Sequence, residues 1–85
     1  MITWPEYKKL TFNDKVRRLY EDGSFIMAIR YYQYKVNLYL MGNFYVEVFV
    51  EHKDSTIAKI ALLDKDSTRL AFYSDQIKLP TGLLR

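Results

Sequence analysis

Hydrophobic positions in this chain change their spacing near residue 23, recurring at helical intervals before it and alternating after it. Thr3-Trp4-Pro5-Glu6 has the capping-box spacing, with Thr at the N-cap, Glu three residues on, and Pro tolerated in the first turn. Trp4 and Tyr7 open an apolar stripe, but the positions that would continue it hold Thr11, Asp14 and Lys15. Phe12, Val16, Leu19 and Tyr20 start a second stripe in a new phase. The jump predicts two short helices rather than one long one. Thr11 or Asn13 can cap the second, and Asp22-Gly23 stops it.

Beyond Ser24 the period is two. Tyr34, Val36, Leu38 and Leu40 alternate with Lys35, Asn37 and Tyr39, while Phe44, Val46, Val48 and Val50 alternate with Tyr45, Glu47, Phe49 and Glu51. A hairpin turning at Met41-Gly42-Asn43 joins the two runs. Setting the wholly apolar set of one strand beside that of the other requires a three-residue loop. Leu40 then opposes Phe44, Leu38 opposes Val46, Val36 opposes Val48 and Tyr34 opposes Val50, since a slip of one residue turns every side chain over. In that loop Asn43 takes the left-handed position.

The run from Phe25 to Tyr32 is apolar on both alternating sets, as in a strand covered on both sides. It either turns back at Tyr32-Gln33 or continues into the next strand through a bulge. Ile57 to Leu63 reads as a further strand adding Ala58, Ile60 and Leu62 to the apolar face, with a helix as the alternative. Leu70, Ala71, Tyr73 and Ile77 suit a short helix ahead of Pro80 and Gly82, while alternation of Leu70 with Phe72 leaves a strand open. Lys53-Asp54-Ser55-Thr56 recurs as Lys65-Asp66-Ser67-Thr68, which a shared turn chemistry explains better than a repeat. The expected architecture is α+β: two short N-terminal helices, an antiparallel meander of three or four strands, and a short C-terminal helix. The helices are expected over the face carrying Val36, Leu38, Val46, Val48 and Ile60.

At 85 residues the chain is read as one domain over 1–85. Its 49% hydrophobic and 27% charged residues exclude a disordered or collagen-like chain, and the lack of Cys excludes a disulfide framework or thiolate metal site. Thirteen basic against ten acidic residues give a net charge of +3, well short of a dense nucleic-acid-binding stripe. The apolar run Phe25-Ile26-Met27-Ala28-Ile29 stops at Arg30, far short of the about 20 residues a membrane helix needs. The N-terminus lacks the basic-then-apolar order of a signal peptide, so a cytoplasmic protein without membrane contact is expected.

Catalytic signatures are sparse, and a non-enzymatic protein without cofactor or metal is expected. His52 is the single histidine and has no second His or Cys to share a metal or proton-transfer role. No G-x-S-x-G surrounds any serine, and Gly23, Gly42 and Gly82 form no phosphate-cradling loop. Glu47 and Glu51 share a strand face but stand about 13 Å apart at ~3.3 Å per residue, too far for a paired-carboxylate site.

Two surfaces remain. Lys8, Lys9, Lys15, Arg17 and Arg18 could contact phosphates, but the spacing Asp14–Arg18 and Arg17–Glu21 is that of an ordinary solvated helix face. Aromatic residues from Tyr31 to Phe49 beside Arg30 and Lys35 could stack bases, although no RNP1 pattern accompanies them. Nucleic-acid binding is therefore the alternative. The leading expectation is a protein-interaction module that forms a homodimer. In the three-residue-loop register Tyr39 opposes Tyr45, Lys35 opposes Phe49 and Asn37 opposes Glu47. That face would expose Tyr39, Tyr45 and Phe49 as one patch with Lys35 and Glu47 at its rim, a surface suited to a second copy.

Overall fold

A computed structural model describes residues 2–64 and 66–74. Helix α1 spans Trp4–Lys8 and α2 spans Phe12–Asp22. Both begin as their caps dictate. Thr3 and Glu6 close the reciprocal capping box, and the Thr11 hydroxyl accepts from the Asp14 N–H. Gly23 ends α2, and a side chain there is excluded by space. A Cβ would lie 2.6 Å from the Leu19 carbonyl oxygen and 3.1 Å from Met41 Sδ.

Four antiparallel strands follow in sequence order: β1 Gly23–Tyr31, β2 Tyr34–Met41, β3 Phe44–Glu51 and β4 Ile57–Leu62. Of the two sequence alternatives the hairpin is realised: the chain turns back at Tyr32-Gln33, and the bulge at Ile26 lies within β1 rather than joining it to β2. Helix α3, Leu70–Ser74, closes the described fold. The α+β arrangement is the one expected. The positions assigned to Ile77, Pro80 and Gly82 lie outside the described residues.

The hairpin register departs from expectation. Met41 pairs with Phe44, Leu40 with Tyr45 and Leu38 with Glu47, across a two-residue Gly42-Asn43 loop. Gly42 rather than Asn43 takes the positive φ, at 60°. A tight hairpin loop with Gly at its first central position matches the twist of the flanking strands. The expected register assumed one buried and one open sheet face. Both faces are covered. Burial therefore tolerates either alternating set on either side, and the turn decides.

One face, here the α2 face, packs Met41, Phe44, Val46 and Val48 against Tyr7 and Leu19 of the N-terminal helices. The opposite α3 face packs Ile29, Val36, Leu38, Tyr45 and Phe49 against Leu63 and Tyr73. The expected single face of Val36, Leu38, Val46, Val48 and Ile60 is therefore split between the two. Ala58 also leaves the sheet face. The β3–β4 register shifts between Phe49 and Val50, so that Ile57, not Ala58, opposes Val50.

Candidate functional site

The five residues expected to form one interface patch are separated by the register. Tyr45, Glu47 and Phe49 are buried on the α3 face, whereas Tyr39 and Lys35 belong to the α2 face. The symmetric pairing inferred from that patch thereby loses its surface. The aromatic platform for stacked bases is likewise broken up: Tyr45 and Phe49 are buried on the α3 face, Tyr39 lies on the α2 face, and Tyr32 is exposed in the β1–β2 turn. Tyr34 meets Phe49 edge-on at 5.5 Å, and Tyr31 packs partly buried in the same cluster.

Glu47 is the residue whose environment is most unlike its sequence-based role at a rim. It is fully buried, and both carboxylate oxygens are engaged. Arg69 Nη2 donates to Oε1 at 2.8 Å, Arg69 Nε donates to Oε2 at 2.8 Å, and Tyr73 Oη donates to Oε2 at 2.8 Å. The guanidinium also lies over the rings of Phe49, at 5.1 Å, and Tyr31, at 5.6 Å. The Glu47 carboxylate raises the Arg69 pKa further, and burial, reinforced by that carboxylate, pushes the Tyr73 phenol up. This closed cluster ties the segment before and within α3 to β3. Glu47 is thus fully buried with both oxygens held by the C-terminal segment, so the cluster joins that segment to the sheet. A lone carboxylate within Phe44–Val50 is the sequence signal that a buried cation must come from elsewhere; nothing in the sequence singled out Arg69 as its source.

The other sequence candidates are dispersed. His52 lies in the exposed β3–β4 turn, its backbone N–H donating to the Gln33 carbonyl. Lys8 and Lys9 are exposed, but Arg17 pairs with Asp14 and Arg18 with Asp22, so much of the basic cluster is neutralised locally. Those pairs differ in partner from the expected ones yet do the same thing. Among the described residues, no three His, Asp or Glu side chains converge to hold a metal, and no helix is long and apolar enough to cross a membrane.

A groove on the α2 face is the feature that sequence reading missed. Helix α2 has 11 residues, so it is about 16 Å long, whereas eight-residue strands run about 26 Å. The helix cannot span the sheet beneath it, and an apolar groove of about 300 Å³ remains beside it. Val16 and Tyr20 form its helical wall, and Phe25, Tyr39, Val50 and Ile57 form much of the rest. Tyr20 is 88% exposed and Phe25 57% exposed, values at odds with the apolar setting around them. Phe12, one turn before Val16 on α2, is also exposed. Asn37 sits in this lining with an amide that makes no side-chain hydrogen bond among the described residues.

The electrostatics of this face are one-sided. Strand alternation places two charged side chains on it, Arg30 and Lys35, which oppose each other across β1 and β2. Both are exposed, and neither enters an ion pair among the described residues. No family model, curated protein or solved structure matches the chain.

Proposed function

We propose that the chain is a small cytoplasmic, non-enzymatic protein-interaction module whose docking surface is the groove beside α2. The observation that carries this reading is the combination of an apolar floor, aromatic side chains exposed at its margins, and one uncommitted amide. Binding sites for protein segments share that composition: apolar area supplies affinity, and a few unpaired polar groups fix register. An enzyme reading has less support, because the one buried carboxylate among the described residues is held by Arg69 and Tyr73. A nucleic-acid reading is weaker still, with the strand aromatics Tyr45 and Phe49 buried and Arg17 and Arg18 paired.

Selection of displayed random peptides against the immobilised domain tests this. Enriched sequences should bind the wild type and lose binding to Val50→Lys, which places an ammonium in the groove while circular dichroism shows the fold intact. Failure to enrich any sequence, or peptides that bind both proteins equally, would refute the reading.

A further inference from the structure

The charge pattern of the α2 face says which kind of partner fits the groove. An apolar floor alone would accept any amphipathic segment, including a second copy of this chain. The sheet side chains next to it narrow the choice: Lys35 pairs in register with the groove residue Val50, and Arg30 with Lys35. Arg30 and Lys35 stand opposite each other, exposed and without ion pairs among the described residues, and this face of the sheet presents no carboxylate at all. The carboxylates that the strands do carry, Glu47 and Glu51, project from the other side. The contrast with α2 is direct, since there Arg17 and Arg18 are each balanced by an aspartate of the same helix. Cations left unbalanced beside an apolar groove favour acidic groups in whatever lies there and repel basic ones, which sets partner choice and association rate more than total affinity.

The shape of the gap says what form the partner takes. A helix is about 10–12 Å wide with its side chains, and α2 already occupies one such lane over the sheet. An amphipathic helix beside α2 would set its apolar stripe on Tyr39, Val50 and Ile57, with Tyr20 and Phe25 at its flanks. We infer that the groove receives an amphipathic helix of a partner protein bearing Asp or Glu along the flank that meets Arg30 and Lys35. A second copy is a poorer fit. The chain carries a net charge of +3, and two of the three α2 carboxylates, Asp14 and Asp22, are held in ion pairs within the helix, so α2 offers Glu21 alone to another molecule's Arg30 and Lys35.

The inference rests on the groove being the docking surface, and the test separates the two ideas. Three synthetic helical peptides share one Leu stripe and differ in their flanks, carrying Glu, Gln or Lys. Each is titrated into the isotopically labelled protein, with affinity from fluorescence anisotropy and location from amide chemical shifts. The Glu-flanked peptide should bind roughly tenfold or more tightly than the Lys-flanked one, the scale of two or three favourable rim contacts, and the preference should shrink as salt is raised. Its binding should be lost in Val50→Lys, although that change adds positive charge and would strengthen purely non-specific attraction. In Arg30→Glu/Lys35→Glu the preference should pass to the Lys-flanked peptide.

Equal binding of all three peptides at the groove would overturn the acidic partner and leave the groove reading standing. Binding that ignores Val50→Lys, or shifts confined to the α3 face, would overturn both. A single-stranded oligonucleotide that moves the Tyr39, Val50 and Ile57 resonances would also overturn the inference. So would a concentration-dependent dimer in sedimentation equilibrium that Val50→Lys dissolves.

Discussion

Arg69→Ala isolates the most demanding interaction in the fold. The substitution removes two charge-assisted hydrogen bonds of 2.8 Å and leaves Glu47 fully buried, with the Tyr73 hydroxyl as its remaining described donor. Breaking a buried pair from one side costs about 3–5 kcal/mol, because the orphaned charge keeps its desolvation penalty. A domain of this length is stable by ~4–13 kcal/mol, taking ~0.05–0.15 kcal/mol per residue, so the loss is a large share of the whole. Glu47→Gln, which removes the charge but keeps the shape, should cost less, about 1–3 kcal/mol. Replacing the set together, Glu47→Leu with Arg69→Met and Tyr73→Phe, should return stability to within about 1 kcal/mol of wild type or above it, since apolar replacements of buried pairs are often neutral or better. Urea unfolding reads all three. With a slope near 1–1.5 kcal/mol/M, Arg69→Ala should move the midpoint down by about 2–5 M. A midpoint within about 0.5 M of wild type for Arg69→Ala would refute the reasoning. A triple variant as unstable as Arg69→Ala would show that packing rather than charge sets the cost.

Further expectations concern other parts of the molecule. Burial raises the Tyr7 pKa to about 12, and the Tyr73 pKa is also raised, so both favour the neutral phenol in the folded state. Their contribution should be complete below the ordinary tyrosine pKa near 10 and be lost as pH rises towards and past about 12; Tyr7→Phe should flatten that alkaline decline in unfolding midpoints. Hydrogen bonds from the Thr3 N–H and hydroxyl hold the Glu6 carboxyl below its usual range, so this term is present above that range and lost as pH falls through the lowered value. Thr3→Ala should lower helicity and blunt the acid limb of the same curve. Gly23→Ala drives a Cβ into the Leu19 carbonyl and should destabilise by about 1–3 kcal/mol in thermal unfolding. Tyr32 holds a φ of 56° in the β1–β2 turn with its ring largely exposed, so Tyr32→Gly should raise stability by up to about 1 kcal/mol; a lowered Tm would show that its ring contact with Tyr31 outweighs the backbone strain.

Local signals in the sequence were strong wherever one residue type has one physical use. Thr3 and Glu6, Thr11, and the Asp22-Gly23 stop located both N-terminal helices, period-two alternation located β2 and β3, and a continuous apolar run located β1. The register was not legible, because alternation chooses a register only when one face is wet. Here Tyr45, Glu47 and Phe49 are buried as thoroughly as Phe44, Val46 and Val48, so the choice passed to the Gly42-Asn43 turn. That one displacement carried the interface expectation with it. A patch that unites Tyr39 with Tyr45 and Phe49 exists only in the other register. The Glu47–Arg69 pair spans 22 positions and could not be found by spacing, and alternation placed Glu47 at an open rim rather than in the core. The groove depends on the shortness of α2 relative to the strands it crosses, and this becomes visible only once the sheet is assembled.

The central claim, that this domain docks a partner segment beside α2, is tested most directly by the structure of the domain bound to a peptide from the display selection. The peptide's apolar side chains should lie against Tyr39, Val50 and Ile57 and its acidic residues within reach of Arg30 and Lys35, with the Glu47–Arg69–Tyr73 cluster unchanged. A peptide seated on the α3 face, or one that displaces α3 to reach Glu47, would contradict it.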